Sequence, residues 1–582
     1  MNVAILTRHP AGNDEWVLWH APIEVLIARQ LDEVKGVIDR VEAETIKGHY
    51  AVGFVSYEAG AALDRSFAIR REQTGLPLAW FAIFKGFLPY HFTTSFPSPC
   101  HWTPDIAPDD YCKNIDRIRE CIASGETYQV NYTFMLRADR NPLMKSLFYR
   151  LYRSQPTPYA MYIETPEFRV ASVSPETFFR LDGNTIVCEP MKGTVHRAPH
   201  PALDDDAGKF LAASTKNRAE NLMIVDMVRN DLGRIAQSGS VNVDQLFNTT
   251  RWPTLWQMTS TISASSNASL LDIFTALFPS ASITGAPKLQ TSKIIAGLER
   301  SPRGLYTGAI GWAGPQRRAC FAVAIRTVVQ TTVPDQTVYG IGSGIVWDSV
   351  AGEEYEECQL KARILEEPVA PSFRLLETMR WDPGQGYFLL DGHLNRMETS
   401  AAFFQFPFDR DKTLSTLHAD AASWSGESRR VRVLIDHAGN VQLESASIDQ
   451  NFCDGPDLAV TMTASLDGER QDISSPLWYH KTTQRKFYDQ ARERYPGCDD
   501  VLLVNRNDHV MEFTNGNIVM KFGDEYITPP LSSGLLPGVY REHLIASRKV
   551  IEREIPILDL YSADAVYFIN SVRGWRRIQF VH

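Results

Sequence analysis

The run Leu365-Glu-Glu-Pro-Val-Ala-Pro-Ser372 closes a charged helical segment with two prolines and gives way at once to the strand-like Phe373-Arg-Leu-Leu376. Proline ends helices and favours extended backbone, so this stretch reads as a break between folding units. Such a break is required, because a chain of 582 residues outgrows a single hydrophobic core. The expected division is a first domain over 1–366, a linker over 367–372 and a second domain over 373–582.

Before the break, strand-like runs (Ala51–Tyr57, Tyr159–Ile163, Phe321–Thr327, Val338–Ile345) mix with amphipathic helices such as Tyr111–Ala123, where Ile115, Ile118 and Ile122 recur at helical spacing. This predicts an α+β domain. After it, strands at Arg430–Ile435 and Val501–Asn505 and helices around Leu390–Phe404 and Glu542–Arg553 predict a smaller α/β unit. The halves share no motif, which reads as a fusion of different folds rather than a duplication.

A net charge of −10, with 22% charged residues, leaves no basic footprint for nucleic acid and no polybasic membrane signal. No run of about 20 apolar residues occurs, as a membrane span needs. Eight cysteines are scattered without a Cys-x-x-Cys pair, so neither a zinc site nor a disulfide framework is expected, and a cytoplasmic small-molecule enzyme is.

The first half gathers ionisable residues beside glycine and proline: Tyr128-Gln-Val-Asn131, Ser174-Pro-Glu-Thr-Phe178, Glu189-Pro-Met-Lys-Gly-Thr194, Lys216 to Asp226 and Arg229-Asn-Asp-Leu-Gly-Arg234. Ser282-Ile-Thr-Gly-Ala-Pro-Lys288, Arg303-Gly-Leu-Tyr-Thr-Gly308, Ile325-Arg-Thr327 and Gly340-Ile-Gly-Ser-Gly-Ile-Val-Trp-Asp-Ser349 follow. Glycine turns let backbone amides approach an anion closely. In Glu353-Glu-Tyr-Glu-Glu-Cys-Gln-Leu-Lys361, spacing puts Glu354, Glu357 and Lys361 on one helical face, either as a solvated stripe or as a site.

In this order these segments closely resemble the chorismate-utilising enzymes, the group of anthranilate, isochorismate and aminodeoxychorismate synthases. The resemblance implies a two-layer β-sandwich-like core with flanking helices. It implies that Glu220, Glu354 and Glu357 hold Mg2+, and that Thr284, Tyr306, Arg326, Gly342 and Lys361 bind substrate. Arg326 and Tyr306 match contacts to the enolpyruvyl carboxylate, which a guanidinium fork suits. Lys192 occupies a position that is alanine in anthranilate synthases and lysine in aminodeoxychorismate synthases, which implies attack on the ring at C2 and ammonia entry at C4. Glu176 matches the acid/base assisting loss of the hydroxyl. Gln257 stands where many relatives carry histidine and cannot transfer a proton. No cysteine lies in a Gly-x-Cys-x-Gly elbow, so ammonia is expected from a separate glutamine amidotransferase subunit or from solution.

In the second half, Leu376-Glu-Thr-Met-Arg380, His393-Leu-Asn-Arg-Met397, His480-Lys-Thr-Thr483, Met511-Glu-Phe-Thr-Asn-Gly-Asn517, Gly534-Leu-Leu-Pro-Gly-Val-Tyr-Arg541 and Asn570-Ser-Val-Arg-Gly574 together resemble the fold-type-IV pyridoxal phosphate enzymes. These include aminodeoxychorismate lyase and the branched-chain and D-amino acid aminotransferases. The resemblance implies that Lys481 carries pyridoxal phosphate and Glu512 pairs with its ring nitrogen. Arg396, with backbone near Asn515, Gly516, Asn517, Val539 and Tyr540, would hold the phosphate. Tyr540 replaces a common threonine, Thr378 matches a proton-moving position, and Arg573 is placed to meet a substrate carboxylate.

The two resemblances together imply a bifunctional enzyme making 4-aminobenzoate from chorismate and ammonia, with no nucleic-acid or membrane partner and with homodimerisation through the second half. The alternative is an anthranilate- or isochorismate-type synthase fused to a branched-chain or D-amino acid aminotransferase.

Overall fold

The computed structural model describes residues 3–12, 15–70, 72, 74–92, 100–251, 255–365, 373–404, 406–424, 426–448 and 452–581. The expected linker, 367–372, lies outside the described residues. Two compact units emerge, Met1–His196 with Gly208–Ala370, and Arg197–Ala207 with Pro371–His582.

The first unit holds two ten-stranded sheets. Alternating apolar residues of one sheet, such as Ile5, Trp19, Ile163 and Val170, meet Val52, Phe54, Trp80 and Ile310 of the other in one buried cluster. Strand side chains alternate between faces, so each sheet buries its other face under helices. Tyr111, Ile115 and Ile118 of helix Pro108–Ala123 pack on one sheet, and Val34, Val37, Ile38 and Val41 of helix Val34–Ile46 on the other. The α+β sandwich expected from the resemblance is the fold observed.

One expected strand is interrupted. Phe321–Thr327 is the end of strand Arg318–Val323 and the first residue of strand Thr327–Thr332. Between them Arg326 takes a left-handed φ of 49° and breaks the ladder.

The second unit pairs a four-stranded sheet with an eight-stranded mixed sheet. Strand Leu375–Asp382 runs antiparallel to Arg429–Ile435, opposing Thr378 to Arg432 and Arg380 to Arg430. Helix Leu390–Phe404 packs Leu394, Met397 and Ala401 against the apolar face of that pair. The helix expected over Glu542–Arg553 instead spans Val539–Ala546. Gly538 caps its start, and Arg548 turns left-handed with φ 57° just past its end, as a helix stop requires. No helix among the described residues is long and apolar enough to cross a membrane.

Candidate active sites

In the first unit the strand Asp335–Ile345 carries Gly340, Gly342 and Gly344 at every second position, hence on one face. Their missing side chains are needed. A Cβ at Gly340 would lie 2.1 Å from the Tyr306 ring, at Gly342 2.5 Å from the Tyr132 carbonyl, and at Gly344 2.6 Å from Gln129 Nε2 and 3.0 Å from Lys192 Nζ. Lys192 projects from the facing strand, Met191–His196. Gly344 thus leaves room for the lysine amine beside Gln129, while Gly340 and Gly342 let Tyr306 and the neighbouring strand pack close.

Burial drives the Lys192 pKa below the ordinary lysine value, against the pull of Glu220, Glu176 and Glu357 and with help from Lys361. Glu176 is buried, accepts a 2.6 Å hydrogen bond from Ser282 Oγ, and is pushed up to about 7 by desolvation. A buried carboxyl raised to about 7, within the field of an amine that burial lowers from its ordinary value, pairs a candidate acid with a candidate nucleophile. Gln129 was not assigned a role from sequence. It is 1% exposed, and both its amide atoms lack a partner among the described residues. Leaving such atoms unpaired costs about 1–3 kcal/mol, so a polar ligand reaching the space beside Gly344 would gain by pairing with them.

The remaining predicted residues divide. Tyr306 is buried behind Gly340, and Thr284 is fully buried with its hydroxyl donating to the Ser280 carbonyl. Arg326 is half-buried at the strand break. Lys361 donates to the Gly342 carbonyl at 3.0 Å and pairs with Glu357 at 2.6 Å. Gln257 is buried against the Met191 sulfur, so its amide is spent on packing beside Lys192.

The three carboxylates expected to hold a metal feel one another without converging. Burial raises the Glu220 pKa, Lys192 and Lys216 oppose this, and Glu354 and Glu357 raise it further. Yet Glu354 accepts from Ser343 and Ser349, Glu357 is tied to Lys361, and no three His, Cys, Asp or Glu side chains among the described residues form a metal-holding group. The donor chemistry of hard oxygens crowded by like charge fits a divalent cation. Glu354 and Glu357 are each held by a local partner, so all three carboxylates would have to turn toward one point to share a cation.

In the second unit every residue assigned by resemblance lines one cavity of about 300 Å3. Lys481 lies in the segment whose carbonyl accepts from Leu376 N at 3.0 Å, which ties it to strand Leu375–Asp382. Desolvation, then the Arg396 charge, lowers its pKa to about 8. Glu512 is pushed up to about 7 by burial while accepting from Tyr488 Oη at 2.6 Å, Asn517 Nδ2 and Leu536 N. Tyr488, on helix Lys486–Arg494, is a site residue that sequence reasoning missed, since one tyrosine in a charged helix gives no signal by itself.

Arg396 is held rigidly. Its Nε and Nη2 donate to Glu377 at 2.7 Å each and Nη1 to the Pro537 carbonyl at 2.8 Å, and His393 also bonds Glu377 at 2.7 Å. Burial would raise the Glu377 pKa, but the Arg396 charge and these bonds hold it at about 2. Gly538 is forced, because a Cβ there would sit 1.8 Å from Asn517 Oδ1. The Tyr540 hydroxyl donates to Asp454 at 2.8 Å and accepts from Trp575, which leaves its backbone, in the first turn of helix Val539–Ala546, for an anion. Asn517 likewise spends its side-chain amide on Glu512 and the Leu536 carbonyl. A buried amine, a carboxyl facing it, a held guanidinium and a helix N-terminus fit pyridoxal phosphate.

Comparison with known proteins agrees with this division. The family model for chorismate binding enzyme matches residues 11–367, and that for amino-transferase class IV matches 374–581. A Streptomyces griseus protein named aminodeoxychorismate synthase is 40% identical over 273 residues, 46% of this chain and 36% of that one. A Haloarcula marismortui protein named anthranilate synthase component 1 3 is 37% identical over 257 residues, 44% of this chain and 51% of that one. The chain therefore spans only a third to a half of these relatives' lengths. The solved structure of anthranilate synthase component I from Streptococcus pneumoniae TIGR4 superposes with TM-score 0.53 at 21% identity, over 63% of this chain and 92% of that one.

Proposed function

We propose, from the premise that this chain belongs to the chorismate-binding enzyme family, that it converts chorismate to 4-aminobenzoate in two steps, one in each unit. The observation that carries this reading is Lys192, a lysine with a suppressed pKa whose amine borders Gly344 in the field of Glu176. The neutral amine attacks ring C2, the double bonds shift, and the C4 hydroxyl leaves as water with the proton of Glu176. Ammonia then bonds to C4, the double bonds shift back, and the C2–N bond to Lys192 breaks, which restores the free amine. The product is 4-amino-4-deoxychorismate. Glu220, Glu354 and Glu357 would hold Mg2+, which supplies positive charge to a substrate carboxylate. Ammonia comes from a separate glutamine amidotransferase subunit or from solution.

In the second unit the amine-bearing product loses a ring proton and its enol ether C–O bond, giving pyruvate and the aromatic ring. Pyridoxal phosphate, when bound, supplies the electron sink. Arg396 and the first turn of helix Val539–Ala546 would hold its phosphate, Glu512 would pair with its ring nitrogen, and Lys481 would carry it. Thr378 lines the cavity, and its hydroxyl would pass the proton.

The test is incubation of the purified chain with chorismate, ammonium, Mg2+ and pyridoxal phosphate, followed by mass spectrometry and chromatography. The expected product is 4-aminobenzoate with one pyruvate. Ortho-aminated product overturns the role of Lys192.

A further inference from the structure

Among the described residues that line the second unit's cavity, Glu512 is the single carboxylate. It lies on strand Val510–Phe513, and its two oxygens are unequally occupied. Oε1 accepts twice, from Tyr488 Oη at 2.6 Å and from Leu536 N at 3.2 Å, and Oε2 accepts once, from Asn517 Nδ2 at 3.2 Å. A carboxylate has about four acceptor positions, so the one left open is on Oε2.

The shortest of these bonds comes from a side chain that cannot easily move. Tyr488 is buried, its ring meets Trp478 edge-on at 5.3 Å and Phe487 at 4.5 Å, and the Arg485 guanidinium lies 4.7 Å from its centre. Arg485 is itself anchored on the Thr514 carbonyl at 2.6 Å. Burial, then the Glu512 charge, raises the Tyr488 pKa well above the ordinary tyrosine value, so the hydroxyl keeps its proton and donates. A hydrogen bond to an ionised acceptor is roughly twice as strong as a neutral one. Burial pushes Glu512 up to about 7, and the Tyr488 hydroxyl heads the influences that oppose it, before Leu536 N, Lys481 and Arg485.

We propose that Tyr488 is a positioning residue acting through Glu512: by occupying Oε1 it leaves Oε2 for the cofactor ring and keeps the proton they share on the ring nitrogen. This rests on the pyridoxal phosphate reading above and deepens it. Without the hydroxyl the carboxylate is more basic, the proton passes from ring nitrogen to Glu512 oxygen, and the neutral ring is a poorer electron sink.

The test is nitrogen-15 magnetic resonance of the full chain loaded with pyridoxal phosphate labelled at the ring nitrogen, at neutral pH. Glu512→Gln marks the unprotonated end of the scale. The wild type is expected at the protonated end and Tyr488→Phe shifted toward the other. Phenylalanine keeps the ring and its packing, so the hydroxyl alone is lost. Trp478→Phe, which loosens the same aromatic cluster and spares the hydroxyl, is expected to leave the resonance in place. In parallel, kcat for pyruvate release from 4-amino-4-deoxychorismate is expected to fall about tenfold in Tyr488→Phe with KM unchanged, the mark of an effect on the ring rather than on substrate contacts. A wild-type ring nitrogen without a proton, a resonance unmoved in Tyr488→Phe, or an equal shift in Trp478→Phe overturns the assignment. A chain that releases no pyruvate yet shows the Tyr488→Phe shift removes the lyase reading and sustains this one. A chain that takes up no pyridoxal phosphate removes both.

Discussion

Two lysines with suppressed pKa values carry the proposed chemistry, and their surroundings set how each is tested. Lys192→Ala is expected to abolish para amination while sparing pyruvate release from supplied 4-amino-4-deoxychorismate. Lys481→Ala is expected to do the reverse, with both products read by chromatography. Glu176, at about 7, gives the first step its pH dependence. As the proton donor it acts below that value, so chorismate consumption falls as pH rises through about 7. Glu176→Gln is expected to lower the rate by roughly 10²–10⁴ and remove that alkaline limb. At this scale the sequence was legible where a residue type states its chemistry, as for Lys192, Lys481 and Glu512. Gln129 and Tyr488 were not, because an amide becomes informative only when burial leaves it unpaired and a tyrosine only when its hydroxyl meets a carboxyl.

Strands and helices act here as devices for spacing. The strand Asp335–Ile345 presents three glycines on one face, and the last of them, Gly344, borders the Lys192 amine. Gly344→Ala puts a methyl group in van der Waals conflict with Lys192 and Gln129, and is expected to suppress chorismate consumption while leaving the second unit's pyruvate release intact. Opposite the cavity of the second unit, Glu377 on strand Leu375–Asp382 fixes Arg396 and His393 from helix Leu390–Phe404. Its folded pKa of about 2 lies below the ordinary 4.5. Stability from this group is therefore present above pH 4.5 and lost as pH falls toward 2. Glu377→Gln leaves Arg396 without its carboxylate and is expected to cost about 3–5 kcal/mol in denaturant unfolding. Weaker retention of pyridoxal phosphate on dialysis, read at its visible absorbance, is expected with it.

At the scale of the whole molecule, each proposed step uses residues of one unit only: Lys192 and Glu176 in the first, Lys481 and Glu512 in the second. A mixture of Lys192→Ala and Lys481→Ala chains is accordingly expected to recover 4-aminobenzoate formation that neither gives alone, measured as product accumulation against the wild type. Absence of recovery shows that the intermediate must stay with one chain. Periodicity and the proline break made the two folds legible, since strand alternation and helical spacing are local properties that survive in a linear text. Element limits were less so: the break at Arg326 and the early stop at Ala546 depend on left-handed residues that carry no sequence mark. By itself the sequence determined which ionisable groups this protein has and in what order. Only the tertiary structure decided which are desolvated, which are spent on neighbours, as Tyr540 and Gln257 are, and which are left unpaired for a ligand. Burial and partnership are sums over residues distant along the chain, and no local run of letters contains them.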